Sequence, residues 1–253
     1  MDINTAGMGR ARRRGLAEEA ADRIREAILA GHFPPGAPLR EVELAQSLDI
    51  SRGSVREGLA VLAREGLTRS AWHRGTNVIE VTAQEAEELY AVRAALERLA
   101  ARLAAERAGA QDTAELDARV DEMAAELARG ADGPRLLALD LDFHDRIHRL
   151  AGNRRLYDGW AGIRSQVHLY QLTRVRLGHE DYRAAVVEEH RELVRLLRAG
   201  DGQAAQEAAE EHVLSACRVL CRQLAGTEAG TEAGTETGRE AGTEAGREAG
   251  REV

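Results

Sequence analysis

Apolar residues recur at helical spacing along most of the chain, and glycines and prolines break the recurrence into segments. Leu16, Ala20, Ile24, Ala27 and Ile28 share one face of a helix predicted over residues 16–30. Gly31 and Pro34-Pro35-Gly36 end it. Two shorter helices are predicted over 41–48 and 54–65. Val55, Leu59 and Leu62 form the buried stripe of the latter, Ser51 suits its N-cap, and Gly66 stops it. Two extended pieces, 67–71 and 76–81, flank the polar tip His73-Arg74-Gly75. Three helices and a small hairpin predict a winged helix-turn-helix over residues 15–81.

The rest of the chain reads as helix. Thr82-Ala83-Gln84-Glu85 has the capping-box pattern and opens a segment whose stripe is Leu89, Val92, Leu96, Leu99 and Leu103. A second box, Asp112-Thr113-Ala114-Glu115, precedes Leu116, Val120, Met123 and Leu127. Further helical patterns cover 134–151, 154–176, 182–199 and 203–224. No strand pattern follows residue 82, so residues 82–225 predict an all-α antiparallel helical bundle and the fold class is mainly α. From Gly226 the units GTEA, GTET, GREA and GREV repeat to the end. Glycine at every fourth place and no recurring side chain larger than alanine predict a disordered tail over 226–253.

Charge changes the picture only once it is divided. The chain of 253 residues has a formal net charge of -8, yet its first 81 residues hold 12 arginines against 11 acids, and its last 28 hold 7 Glu against 3 Arg. An acidic total therefore does not exclude a nucleic-acid partner for the first domain. Residues 1–14 carry arginines with no apolar run after them, which predicts a disordered basic arm and no secretion signal. No apolar run is long enough for a membrane span. Cys217 and Cys221, four apart on a helix, are expected as reduced packing residues.

Arg52 and Arg56 lie near the start of the third predicted helix. A helix in a major groove presents its N-terminal residues to base edges, and arginine pairs bidentately with guanine. The run Gly36-x-Pro38-Leu39-x-Glu41-x-x-Leu44-Ala45, then Ser51-Arg52-x-x-Val55-Arg56-Glu57-x-Leu59, Leu62, Gly66-Leu67 and Arg74-Gly75-Thr76-x-Val78, closely resembles the GntR family of bacterial transcription regulators. The downstream helices resemble the FCD ligand-sensing domain of its fatty-acid-regulator branch. The matching residues there are Asp140-x-x-Phe143-His144, Gly152-Asn153, Glu189-His190 and His212.

The resemblance implies a sequence-specific DNA-binding regulator, expected as a cytoplasmic, nucleoid-associated homodimer repressing from a palindromic operator. Arg52 and Arg56 would enter the groove, with Ser51 and Ser54 bonding phosphates or base edges. Arg40 would reach the backbone or groove edge, and Arg74 with Gly75 would bring the wing to the minor groove. Gly53 stands where the family often has Thr or Pro, so base preference at that point is open. Asp140 and His144 are four apart and share a helix side. His190 and His212 lie about 15 and 18 Å from the turn at 199–202, at similar heights in the bundle. Three imidazoles and a carboxylate suit Zn²⁺, with Ni²⁺ or Mn²⁺ also possible. His148 continues the same stripe and is a rival ligand, although the family pattern favours His144. Resemblance also points Arg93 and Asn153 toward a small organic-acid effector; the alternative for Arg93 is a surface pair with Glu97. Two other functions fit less well. One is a helical metalloenzyme acting on a small carboxylic acid. The other is an architectural DNA-binding module whose bundle merely dimerises.

Overall fold

The computed structural model describes the backbone of residues 14–71, 75–130, 133–178 and 180–248, and their side chains except at 14, 180–185 and 227–248. The basic arm, the wing-tip Arg74 and His179 lie outside the described residues. The chain forms two compact units: residues 1–81 with 157–172, and residues 82–156 with 173–253.

In the first unit, α1 (Arg14–Ala30), α2 (Glu41–Leu48) and α3 (Arg52–Arg64) precede a hairpin of β1 (Thr68–Ala71) and β2 (Gly75–Val78). The strands are antiparallel, with Thr68 opposite Val78 and Ala71 opposite Gly75. Ile24, Ile28, Leu39, Val55, Leu59, Leu62, Leu67 and Val78 make the core. Helix α1 is turned slightly from its expected phase: Leu16 is 49% exposed, while Ala17 and Ala21 are buried. The reason is close packing. A Cβ added at Gly58 of α3 would lie 2.9 Å from the Ala17 carbonyl oxygen and 3.0 Å from Ala20 Cβ, so only small residues fit where the two helices cross. The turn between α2 and α3 puts Asp49 in the left-handed region at φ 52, which aspartate tolerates better than most residues. Glu65, at the C-cap of α3, accepts a two-pronged pair from Arg25 at 2.8 and 2.6 Å. It also accepts from Ser165 Oγ at 3.1 Å, and its carbonyl accepts from Gln166 Nε2 at 3.2 Å. These bonds seat residues 157–172 in the first unit, although the sequence pattern places them with the second domain.

The second unit contains α4 (Ala83–Ala105), α5 (Ala110–Ala128), α6 (Gly133–Leu150), both ends of α7 (Arg154–Arg176), α8 (Glu180–Ala199) and α9 (Gly202–Glu248). Helix α4 packs along α9 and against α6 and α8, and α5 packs on α6 and α8. Thr82 caps α4 by accepting from the Glu85 N–H at 3.2 Å. Helix α5 starts earlier than its box predicts. Gly109 is the N-cap and Asp112 sits at the third helical position, its carboxylate accepting from the Gly109 N–H at 2.8 Å.

The largest departure concerns α4. Of its expected stripe Leu89 is buried and Leu96, Leu99 and Leu103 are partly buried against the core, but Val92 is 51% exposed, and the most deeply buried face carries Ala86, Tyr90, Arg93, Ala94, Glu97, Ala100, Ala101 and Ala104. Alanines let α9 come close, and the two charged residues on that face are matched by polar groups from α6. At the other end of the unit, α9 runs through the glycine repeat to Glu248, where irregular chain was expected. Alanine, glutamate and arginine favour helix there, against about 1 kcal/mol lost per glycine.

The Gly58 contact gives a test of the first unit. Gly58→Ala must push α1 and α3 apart and is expected to cost about 1–3 kcal/mol, lowering the Tm of the purified chain by several degrees. Gly15→Ala, where an added Cβ meets nothing within 4 Å, is expected to leave the Tm unchanged or slightly raised. Equal Tm values for both variants and the wild type would show that α1 and α3 cross without close contact.

Candidate DNA-contacting helix and candidate metal centre

Ser51 begins α3 by accepting from the Ser54 N–H at 3.1 Å, and the two hydroxyls are 3.0 Å apart. This cap fixes the start of the helix and so aims the side chains of its first turns. Arg52 and Arg56 stand one turn apart with side chains 62% and 65% exposed. The Arg56 fork donates to both oxygens of Glu41 on α2, at 2.9 and 2.6 Å. Arg52 lies 3.9 Å from the same carboxylate. That pairing, above all the hydrogen bonds from Arg56, holds the Glu41 carboxyl below its usual range. Arg40 is exposed and donates to Glu43 at 2.9 Å. Ser54 departs from expectation: it is buried and its hydroxyl is turned into the cap, so it faces protein rather than a groove. Gly75 has φ 75 with nothing near an added Cβ, so the wing needs glycine for its backbone conformation, not for space.

In the second unit, Asp140 and His144 of α6 meet His190 of α8 and His212 of α9. One ligand atom from each lies within 4.8 Å of the others, and all four residues are buried. Asp140 Oδ1 is 3.1 Å from His190 Nε2 and 3.9 Å from His144 Nε2. Metal–ligand bonds of about 2.1 Å put tetrahedral ligand atoms about 3.4 Å apart, so these separations fit one shared cation after small adjustments. The other ring nitrogens are already held. His144 Nδ1 is 2.9 Å from Glu97 Oε1, His190 Nδ1 is 2.5 Å from the Val186 carbonyl, and His212 Nδ1 is 2.6 Å from Glu189 Oε2. Each ring therefore turns Nε2 inward, the arrangement by which second partners fix the tautomer of a metal-binding histidine. Phe143 packs edge-on against His190, with centroids 4.5 Å apart, and the His144 and His212 rings are stacked at 5.4 Å.

Burial, the largest influence on Asp140, works against its charge, yet His190, His144 and Arg93 hold the carboxyl well below its ordinary value. Glu97 behaves likewise, with His144 and His148 outweighing burial. Both are thus anionic. Arg93 is 1% exposed, so its pair with Glu97 at 3.4 Å is an interior contact and not a surface one. Its guanidinium carbon is 5.8 Å from the Tyr90 ring centroid, and the Tyr90 hydroxyl, also buried, has no hydrogen-bond partner among the described residues. His148 is fully buried but reaches Glu97, 3.5 Å from Nε2, and stands outside the four-residue group. Asn153 caps α7, its side chain accepting from the Leu156 N–H at 3.2 Å. Glu97 and Glu189 meet the outer ring nitrogens of His144 and His212, places that spacing alone did not reveal. The signal for Glu97 was its place on the alanine-rich face of α4.

His212 makes stability depend on pH. Its imidazole is pushed down from 6.5 to about 4, first by burial; Glu189 opposes the shift, and His190 and His144 add to it. Between those values the unfolded chain binds this proton and the folded chain does not. Stability is therefore complete above the unfolded value and falls as the pH drops through the window. Asp140 and Glu97, whose carboxyls are held below their ordinary values, add a loss of stability in the same direction, beginning near the foot of the window. Thermal melts of metal-free protein are expected to give a Tm that declines from about pH 7 to about pH 4.5, and declines less in His212→Gln. Parallel declines would assign the effect to other groups.

Residues 16–78 match the family described as bacterial regulatory proteins, gntR family, and residues 88–215 match the FCD domain. The chain is 33% identical over 199 residues to a probable D-xylose utilization operon transcriptional repressor of Paenarthrobacter nicotinovorans, covering 78% of this chain and 85% of that one. It is 26% identical over 195 residues to the HTH-type transcriptional regulator YdhC of Bacillus subtilis (strain 168), covering 77% and 84%. Among solved structures, E. coli McbR/YncC matches in fold with a TM-score of 0.71 at 22% identity, over 82% of this chain and 98% of that one. No described helix is long and apolar enough to cross a membrane. The chain belongs to the GntR family of transcriptional regulators, with a DNA-binding domain followed by an FCD domain.

Proposed function

We propose that this regulator is a metal-dependent repressor whose hold on its operator is set by a small carboxylate bound in the second unit. The observation that carries the reading is the buried group of Asp140, His144, His190 and His212, with every imidazole held at Nδ1 and turned inward at Nε2. Four such donors fit Zn²⁺, and Ni²⁺ or Mn²⁺ also suit imidazole and carboxylate oxygen. A bound divalent ion would supply a Lewis-acidic position for an effector carboxylate. This chain's own residues would do the rest. Arg93 would balance a second anionic group, the Tyr90 hydroxyl would donate to it, and Asn153 would shape the cavity edge from the start of α7.

On DNA, Arg52 and Arg56 would read base edges from the head of α3, Ser51 and Arg40 would contact phosphates, and Arg74 with Gly75 would approach the minor groove. One winged domain offers few contacts, so a homodimer on a palindromic site is the arrangement proposed. Repression follows the P. nicotinovorans relative, which is named as a repressor. The effector would act only through a difference in affinity between DNA-competent and incompetent states.

Selection from a random DNA pool should yield a palindromic site. Arg56→Ala is expected to bind it roughly 5- to 150-fold more weakly at fixed salt, the loss of one bidentate guanine contact. Wild-type affinity in that variant would remove Arg56 from the readout. Metal is tested separately. Elemental analysis of purified protein should find about one divalent ion per chain, and a chelator should lower the Tm until Zn²⁺ or Ni²⁺ is restored. Protein without metal, unmoved by either ion, would end the metal reading while leaving DNA recognition intact.

A further inference from the structure

Glu97 is a charged side chain deep in the second unit that is not one of the four grouped donors. It is 1% exposed on α4 and meets three partners: His144 Nδ1 at 2.9 Å, Arg93 Nε at 3.4 Å and His148 Nε2 at 3.5 Å. Helix α4 contributes none of the four grouped donors, which come from α6, α8 and α9. Glu97 is the side chain by which α4 meets one of the grouped imidazoles, that of His144. The three inward histidines are secured differently. His190 bonds a carbonyl four residues back in its own helix, and His212 bonds Glu189, which is half-buried. His144 alone rests on a carboxylate that is fully shut away from water and shared with a guanidinium.

We infer that Glu97 is a positioning residue of the metal centre: its carboxylate holds His144 with Nε2 toward the ion, while Arg93 and His148 hold Glu97 in place. A buried carboxylate with one partner rotates, whereas three partners on two helices fix both of its oxygens. Oε1 serves His144 and Arg93, and Oε2 serves His148. This accounts for His148, whose spacing makes it look like a ligand: it supports Glu97 instead. It also accounts for Arg93 and Glu97 lying on the inner face of α4. The inference rests on the proposed metal site and adds a residue to it.

The test compares wild type with Glu97→Gln, which keeps the shape and removes the charge. Zn²⁺ affinity is measured by competition with a chromophoric chelator, and the Co²⁺-substituted proteins are compared by visible absorption. Loss of such a supporting partner weakens metal binding about 10- to 100-fold, and the Co²⁺ bands should shift because the His144 ring reorients. A residue that merely packed would lower the Tm of metal-free protein and leave the Co²⁺ spectrum alone. Should Glu97→Gln fail to fold around an unmatched Arg93, R93M/E97Q leaves no lone charge of that pair and carries the same comparison. Wild-type affinity and spectrum in the variant overturn the role of Glu97 and leave the metal reading standing. A wild type that binds neither Zn²⁺ nor Co²⁺ overturns both.

Discussion

The second unit is built around a constraint that few small helical bundles accept: charged and titratable side chains in its interior, shut away from solvent. Arg93, Glu97, Asp140, His144, His148 and His190 are each no more than 1% exposed. Removing an ion from water costs several kcal/mol even after relaxation, so each group survives only through its neighbours. The contacts at 2.9 Å between His144 and Glu97 and at 3.1 Å between His190 and Asp140 are the compensation. Leucines in these places would be the easier route to stability. Their absence points to a demand other than folding.

Charge balance sharpens this. Ligation requires neutral imidazoles. In that state the buried carboxylates of Glu97 and Asp140, which meet the ring nitrogens, stand with the one guanidinium paired to them, that of Arg93. Two negative groups against one positive leave this cluster one charge short, beside a set of inward-turned nitrogens. A divalent cation would answer that shortfall, and the proposed anionic effector would then restore neutrality. Metal and effector would in this sense be complementary, each reducing the cost of burying the other.

Much of the fold could be read from the chain because its signals are local. Capping residues such as Ser51 and Thr82, the stop at Gly66 and the hairpin residues act over three or four positions, and the structure keeps them. The centre was only partly legible. Asp140 and His144 announce themselves by spacing, but His190 and His212 needed the family pattern to join them. Glu97 was read only as a surface partner of Arg93, because α4 meets the core with two adjoining faces, one lined with leucines and one with alanines. Hydrophobicity favours the leucines. Close approach of α9 favours the alanines, and the buried charges ride on that face. A pattern that counts apolar residues cannot see a partner helix that needs small ones.

The surface proposed to contact DNA has the opposite logic, keeping its charges in water and lightly paired. Several arginines of the first unit are occupied within it: Arg25 with Glu65, Arg23 with Glu19 and Glu26, Arg40 with Glu43. With 12 arginines against 11 acids in the first 81 residues, a general attraction to phosphate is weak. Specificity must then come from geometry. The fork of Arg56, held flat by Glu41 at 2.9 and 2.6 Å, is presented ready for an acceptor pair of similar spacing. An exposed ion pair is worth about 0–1 kcal/mol, whereas a bidentate guanine contact contributes about 1–3 kcal/mol. In the proposed reading, exchange of Glu41 for guanine would be favourable, and exchange for an unsuitable base edge would not. The carboxylate that steadies the arginine in the free protein would then also set the threshold a base must exceed.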